Sequence, residues 1–282
     1  FLGTGQLIAL RGQWGSNVQT YQFKYHNPWM FGERKSFTYR AWNTRGNYGY
    51  NNMFNTGYRP EIRYGMDASV GLPHSYELRS IHKVKLEKVI IEESDNSNAE
   101  EYSIQSYAFS LIYDTRDIRF YPLNGAYYVG TIENGFKLQS DSLLFTKYDI
   151  SMANFFQTFE KQTIATRFIA GRINGQIETT EYYYIGGPNT VRGYIEYPNS
   201  FGVGKSQLLL NLEYRFILSE IFQFLFFLDA GWASSLGSDI TKGKIGKGLG
   251  FRITSPLGPI RIDFGIDEEG EMRTHFNIGH IF

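Results

Sequence analysis

Arg192 stands in the run Gly186-Gly187-Pro188-Asn189-Thr190-Val191-Arg192-Gly193-Tyr194, a cation among glycines. Two acids follow it, Glu213 and Asp229, each on the polar side of a stretch whose alternate residues are apolar. The chemistry these residue types allow is charge pairing rather than catalysis. A guanidinium is a planar fork that takes carboxylates bidentately, and lysine lacks that fork. Left in water, an arginine among glycines is an ordinary turn cation. It acquires a role only if the loop of Glu181 to Ser206 folds back onto the strands beside it. Burial of Arg192 is costly unless it is paired, so the expectation is a lock in which Glu213 and Asp229 pin the loop.

Other candidate chemistry falls away. Gly202-Val203-Gly204-Lys205-Ser206 looks like the end of a phosphate-binding loop, but Asn199 occupies the position of its first glycine. A strand rather than a helix follows, so no helix N-terminus awaits a phosphate. Of five histidines, His275 and His280 are locally close but alternate to opposite sides, and no metal spacing is present. Glu92-Glu93 belongs to a polar stretch, Glu92 to Glu101, that reads as solvated. No catalytic constellation and no cofactor site emerge.

The elements that must position the lock are strands. The 282 residues carry 28 Lys plus Arg against 28 Asp plus Glu, so no net field favours nucleic acid. Aromatics make up 17%, including 21 Tyr and 23 Phe, while the longest apolar run, Phe224 to Leu228, is far too short for a spanning helix. Cysteine is absent, which excludes no compartment. Period-two alternation recurs from end to end. Ile62, Tyr64, Met66, Ala68 and Val70 form one stripe, with Arg63, Asp67 and Ser69 behind it. Leu208, Leu210, Leu212, Tyr214 and Phe216 face outward, and Gln207, Asn211, Glu213 and Arg215 inward. Phe222, Phe224, Phe226, Leu228 and Trp232 repeat the pattern over Gln223 and Asp229, as do Ile260, Ile262, Phe264 and Ile266 over Arg261 and Asp263. Asn43 to Tyr58, rich in Asn, Gly and Tyr, reads as a long loop.

About fourteen strands result, sixteen being the alternative, with short connections on one side and mostly longer polar ones on the other. One face of nearly every strand is Leu, Ile, Phe or Tyr and the other carries isolated charges. A soluble sandwich would charge its outer faces. In hydrocarbon every backbone polar group needs a partner, so a spanning sheet must close on itself. The predicted fold is all-β: a transmembrane antiparallel β-barrel over residues 1–282, with a long extracellular loop folded inward.

The motifs resemble the Omp85 superfamily of outer-membrane barrels along essentially the whole chain. Gly186 to Tyr194 is similar to that family's loop motif, whose arginine pairs with strand acids in the lumen. Asp114-Thr115-Arg116-Asp117 leading to Pro122-Leu123-Asn124-Gly125 resembles the turn shared with surface-antigen barrels. Leu212-Glu213-Tyr214-Arg215 and Phe227-Leu228-Asp229-Ala230-Gly231 resemble the strands that carry the arginine's partners. Phe276-Asn277-Ile278-Gly279 and the terminal Phe282 resemble the closing strand, which ends in an aromatic signal read by assembly machinery. The resemblance implies that Gly279 lets the last strand bend and that a lateral seam opens between Gly5–Trp14 and His275–Phe282. It implies an outer membrane of Gram-negative type, a lipid bilayer around the barrel and a polypeptide substrate. Periplasmic accessory proteins and a homodimer are further partners it admits. Phe1 in place of Met, with no signal peptide, leads to the expectation that soluble domains precede this chain in a longer precursor. With fewer strands than the family's usual sixteen or so, a specialised relative is expected: a dedicated transporter, or the anchor of a fused patatin-type lipase. A passive porin is the third reading.

Overall fold

The computed structural model describes residues 5–15, 18–52, 55–92, 99–119, 121–196, 202–219, 221–234, 243–255 and 259–279. Phe282, His280, Asn199, Glu93 and the centre of the Pro256 turn lie outside them. Among the described residues the regular secondary structure is strand, apart from two single 3-10 turns at Met30–Gly32 and Thr179–Glu181.

The strands are β1 (Leu7–Trp14), β2 (Val18–Asn27), β3 (Ser36–Asn52), β4 (Asn55–Pro73), β5 (Leu78–Ile91), β6 (Glu100–Asp114), β7 (Gly125–Gly135), β8 (Phe145–Phe159) and β9 (Gln162–Gly175). Two short strands, β10 (Tyr183–Ile185) and β11 (Gly202–Gly204), pair only with each other. Then come β12 (Ser206–Ile217), β13 (Phe222–Ser234), β14 (Lys244–Ile253), β15 (Ile260–Ile266) and β16 (Met272–Ile278). Fourteen of them form one antiparallel sheet in chain order, β1 to β9 and then β12 to β16. A meander of this kind needs only local hairpins, which antiparallel pairing permits with short turns.

Two compact units are distinguished within the chain: Phe1–Ile112 with Thr131–Lys147 and Asn174–Ile177, and Tyr113–Gly130 with Tyr148–Ile173 and Glu178–Phe282. In the first unit β3 and β4 are 17 and 19 residues long and stay in register from Ser36 opposite Gly71 to Asn52 opposite Asn55. Within the stretch Asn43 to Tyr58, expected as a long loop, residues 43–52 and 55–58 are therefore paired strand, an extension of the hairpin. Ladder bonds join backbone to backbone, so the pairing continues where apolar alternation has stopped.

In the second unit the usual solvent pattern is inverted. Leu210, Leu212, Phe226 and Leu228 are exposed, while Asn211, Glu213 and Asp229 on the same strands are buried. The first unit exposes Leu10, Met66, Val84, Leu86 and Leu111 in the same way. In each unit, exposed apolar residues alternating with buried polar ones suit hydrocarbon, not water. Aromatic neighbours reinforce it: Phe216, Phe224 and Phe226 are mutual contacts, and Phe224 also meets Phe251 at 5.4 Å.

The Asp114–Gly125 turn is built by its own side chains. Arg116 takes Asp114 bidentately at 2.8 and 2.9 Å and stacks over the Tyr127 ring at 4.1 Å. Asp117 accepts the backbone N–H groups of Ile118, Leu123 and Asn124, which closes the turn.

Candidate functional site: an arginine loop lock

Antiparallel register brings the pieces together before any long-range packing is considered. Asn211 on β12 is opposite Arg167 on β9 and Asp229 on β13, and Asp229 is opposite Gly246 on β14. One step along, Glu213 is opposite Phe227, Phe227 opposite Gly248, and Gly248 opposite Gly265. Two acids thus stand in neighbouring rows on the polar face, beside columns of glycine.

The loop settles onto this patch. Gly186 and Gly187 turn the chain with φ of 142° and 96°, a region that residues with a Cβ rarely adopt. Thr190 Oγ1 donates to the Gly186 carbonyl and accepts from its N–H, both at 2.8 Å. Val191 and Ile185 then pack against Leu209, the apolar residue on the inner side of β12. Arg192 follows, with no exposed surface, and neither Glu213 nor Asp229 has any.

Arg192 is the hub. Its Nε and Nη2 donate to the two oxygens of Asp229 at 2.7 and 2.8 Å, and its Nη1 to Glu213 Oε1 at 2.7 Å. Its backbone N–H also donates to Asp229, at 3.1 Å. The guanidinium carbon lies 3.7 Å from the centroid of the Phe227 ring, so one face of the cation is against a π-system. Removing one partner of a buried pair of this kind costs about 3–5 kcal/mol, because the other charge stays behind.

The residues just after Arg192 complete the seat. Gly193 has φ of 97°, and a Cβ there would press on the backbone of Ile266 and Asp267. Its N–H donates to His275 Nε2 at 3.1 Å. Tyr194 bridges, its hydroxyl donating to the Ile245 carbonyl and accepting from the Glu268 N–H, both at 3.2 Å.

The structure brings Arg192, Glu213, Asp229, Gly193, Tyr194, Gly186 and Gly187 together in one place. Several members were not foreseen. Asp263 lies 3.5 Å from Arg192 Nη1 and is held by Arg252 at 2.7 Å. Arg261 reaches the loop from below, donating to the Pro188 carbonyl at 2.5 Å and to Asn189 Oδ1 at 3.1 Å. Arg167 donates to the Asn189 carbonyl at 2.7 Å, and Asn211 to that of Thr190 at 2.7 Å. His275, set aside in sequence as lacking a metal partner, is a hydrogen-bond acceptor for the loop. Nor did the sequence single out the glycines. A Cβ at Gly246 would run into the Arg192 carbonyl, and one at Gly265 into Gly193 N. The available signal was Gly246, Gly248 and Gly250 at period two, which clears one face of β14 of side chains.

Of the closing-strand residues, Phe276 is exposed and Gly279 follows the last residue of β16 with φ of 117°. Gly279 N–H still donates to the Pro259 carbonyl at 2.8 Å.

The sequence profile of the Omp85 superfamily domain matches residues 1–282. The chain belongs to the Omp85 superfamily. These are outer-membrane β-barrels of the protein transport and insertion kind, found in Gram-negative bacteria and in chloroplast envelopes. Among characterised relatives, the chain is 31% identical over 119 residues to outer envelope protein 80, chloroplastic, of Arabidopsis thaliana, covering 39% of this chain and 16% of that one. It is 29% identical over 162 residues to outer envelope protein 39, chloroplastic, of the same plant, covering 53% and 43%. The matched regions span less than half the length of these relatives. The fold is that of BamA from Haemophilus ducreyi, solved without POTRA domains 1-3, with a TM-score of 0.79 at 12% identity, over 98% of this chain and 63% of that one. CdiB from Escherichia coli gives 0.71 at 14%, over 99% and 55%.

Proposed function

We propose that this Omp85 barrel inserts polypeptides into an outer membrane or translocates them across it. The observation that carries the reading is the arginine lock. A buried network has been assembled to hold residues 186–196 against the polar face of the sheet, where a passive pore would need open passage. The outward apolar face supports a lipid bilayer as the surrounding, and an unfolded polypeptide is the substrate the reading requires. Periplasmic accessory proteins and the opening of a lateral seam belong to the same proposal. A Gram-negative outer membrane is the proposed location. The plant relatives favour a second one, the chloroplast outer envelope, and membrane fractionation of the source cell decides between them.

The test is reconstitution in liposomes with a urea-denatured small outer-membrane barrel as client. The reading expects the client to fold faster than in empty liposomes, and oxidised cysteine pairs across the seam to remove the gain. Equal folding rates with and without the protein, together with rapid liposome swelling in small solutes, would establish a porin instead.

A further inference from the structure

The loop is tied to the last strand as well as to β12 and β13. Gly193 N–H donates to His275 Nε2 on β16 at 3.1 Å, and Asn277 Nδ2 adds a longer bond to Asn189 Oδ1 at 3.4 Å. The first of these bonds depends on a proton count. A backbone N–H can only donate, so Nε2 must carry the lone pair and the ring must be neutral. An imidazolium bears N–H groups on both nitrogens and has nothing to offer Gly193. We propose that His275 is a proton-operated latch, which holds Gly193 when neutral and lets it go when charged.

Three features of the seat support it. First, His275 is only half-buried, so a proton can reach the ring from water. Second, a charged ring has somewhere to turn. Asp263 on β15 is its direct cross-strand partner, and such pairs have Cβ atoms about 4.5–5.5 Å apart. Asp263 Oδ1 accepts from Arg252, while Oδ2 is buried and accepts no hydrogen bond. Arg261 Nη2 stands 3.5 Å from that oxygen, but its hydrogen bond goes to the Pro188 carbonyl. A rotated imidazolium would give Oδ2 a charge-assisted bond in exchange for the neutral one to Gly193. Third, the rest of the dock does not hang on this proton. Arg192 keeps Glu213 and Asp229 through its own guanidinium, so the latch frees the Gly193 end of the loop and leaves the lock in place. The charged groups facing the ring are Asp263 and Arg261 from β15, Arg192 from the loop and Arg273 from β16 itself. Arg273 is paired with Glu271, and Asp267, in the β15–β16 turn, accepts the N–H groups of Glu269 and Glu271. Asp263 is thus the carboxylate placed to receive the charged ring.

The latch does not depend on the transport reading and is tested without a client. In the full chain folded in detergent, nuclear magnetic resonance follows the His275 ring and the loop amides from about pH 8 to about pH 5, the range in which histidines titrate. Protection of the Gly193 amide, corrected for the intrinsic pH dependence of exchange, should fall about tenfold or more with the midpoint of the His275 ring. The Arg192 amide, which donates to Asp229, should stay protected throughout. In His275→Gln a side-chain carbonyl that does not titrate takes the place of Nε2, and Gly193 should remain protected over the whole range. The parent alone decides whether a latch exists, and the variant assigns it to His275. Gly193 protection that does not change as the ring titrates, or a ring that stays neutral down to about pH 5, would overturn the proposal. So would an equal fall in His275→Gln, or simultaneous loss of protection at Arg192, which would mean that acid opens the whole loop.

Discussion

The two units use the same ion pairs to different ends. In the first, Arg40 takes Asp67 through two bonds at 3.0 and 2.5 Å, Lys85 stands between Glu87 at 3.5 Å and Glu133 at 3.6 Å, and Arg45 pairs with Glu92 at 3.0 Å. These partners reach along or across the strands, and two of the cations stay partly wet: the Arg40 side chain is 39% exposed, over an Asp67 that is 3% exposed, and that of Arg45 57%. In the second, Arg192 comes from a loop, and neither it nor the acids it grips retains any exposed surface. The geometry of the bonds is alike. What differs is a covering segment, which turns a screened pair of little worth into one that cannot be broken without stranding a charge.

The difference can be broken at its largest point by Arg192→Ala. Loss of the cation leaves Glu213 and Asp229 buried beside each other, and a destabilisation of about 3–5 kcal/mol is expected. It is read as a lower urea midpoint and a loss of heat-modifiable gel migration. Gly246→Ala tests the seat rather than the charge. Its Cβ meets the Arg192 carbonyl, so the loop must lift, at about 1–3 kcal/mol. Arg192→Lys keeps the charge and loses the fork to Asp229, for about 1–3 kcal/mol in the same urea titration. Arg40→Ala in the first unit should cost about 1–2 kcal/mol, less than Arg192→Ala because the Arg40 side chain is partly solvated although its partner Asp67 is 3% exposed.

The smallest effect concerns Asp141, in the polar connection between β7 and β8. Its hydrogen bonds from Lys88 and then Ser103 hold the carboxyl below the ordinary carboxylate range. A carboxyl lowered on folding stabilises above its unfolded pKa and loses that contribution as pH falls through the folded value. Asp141→Asn should therefore weaken the protein slightly at neutral pH and match the parent in acid, measured as urea midpoints against pH.

The lock was legible where residue type alone implies the partner. A lone Arg192 and two inward acids on later strands specify a charge pairing, and alternation fixes which face Glu213 and Asp229 occupy. The fourteen-stranded sheet was legible for the same reason: period two survives in nearly every strand. What stayed hidden depends on the loop's path. Leu209 breaks the alternation of β12 because Val191 and Ile185 cover it, and sequence gives no sign of that cover. His275 contributes a ring nitrogen to one backbone N–H, a role with no spacing rule. The stretch Asn43 to Tyr58 was misread because a ladder of backbone bonds needs no apolar stripe beyond the hydrocarbon.

The central claim is that Arg192 holds the loop, and amide hydrogen exchange across residues 186–196 tests it most directly. In the parent protein the amides of Gly187, Arg192 and Gly193 should exchange slowly, because each donates to a partner within the dock. In Arg192→Ala, under conditions where the strand amides remain protected, those three should exchange at the rate of an exposed loop. Unchanged protection of the three in the variant would contradict the account and leave the ion pairs as passengers of a loop held by its apolar contacts.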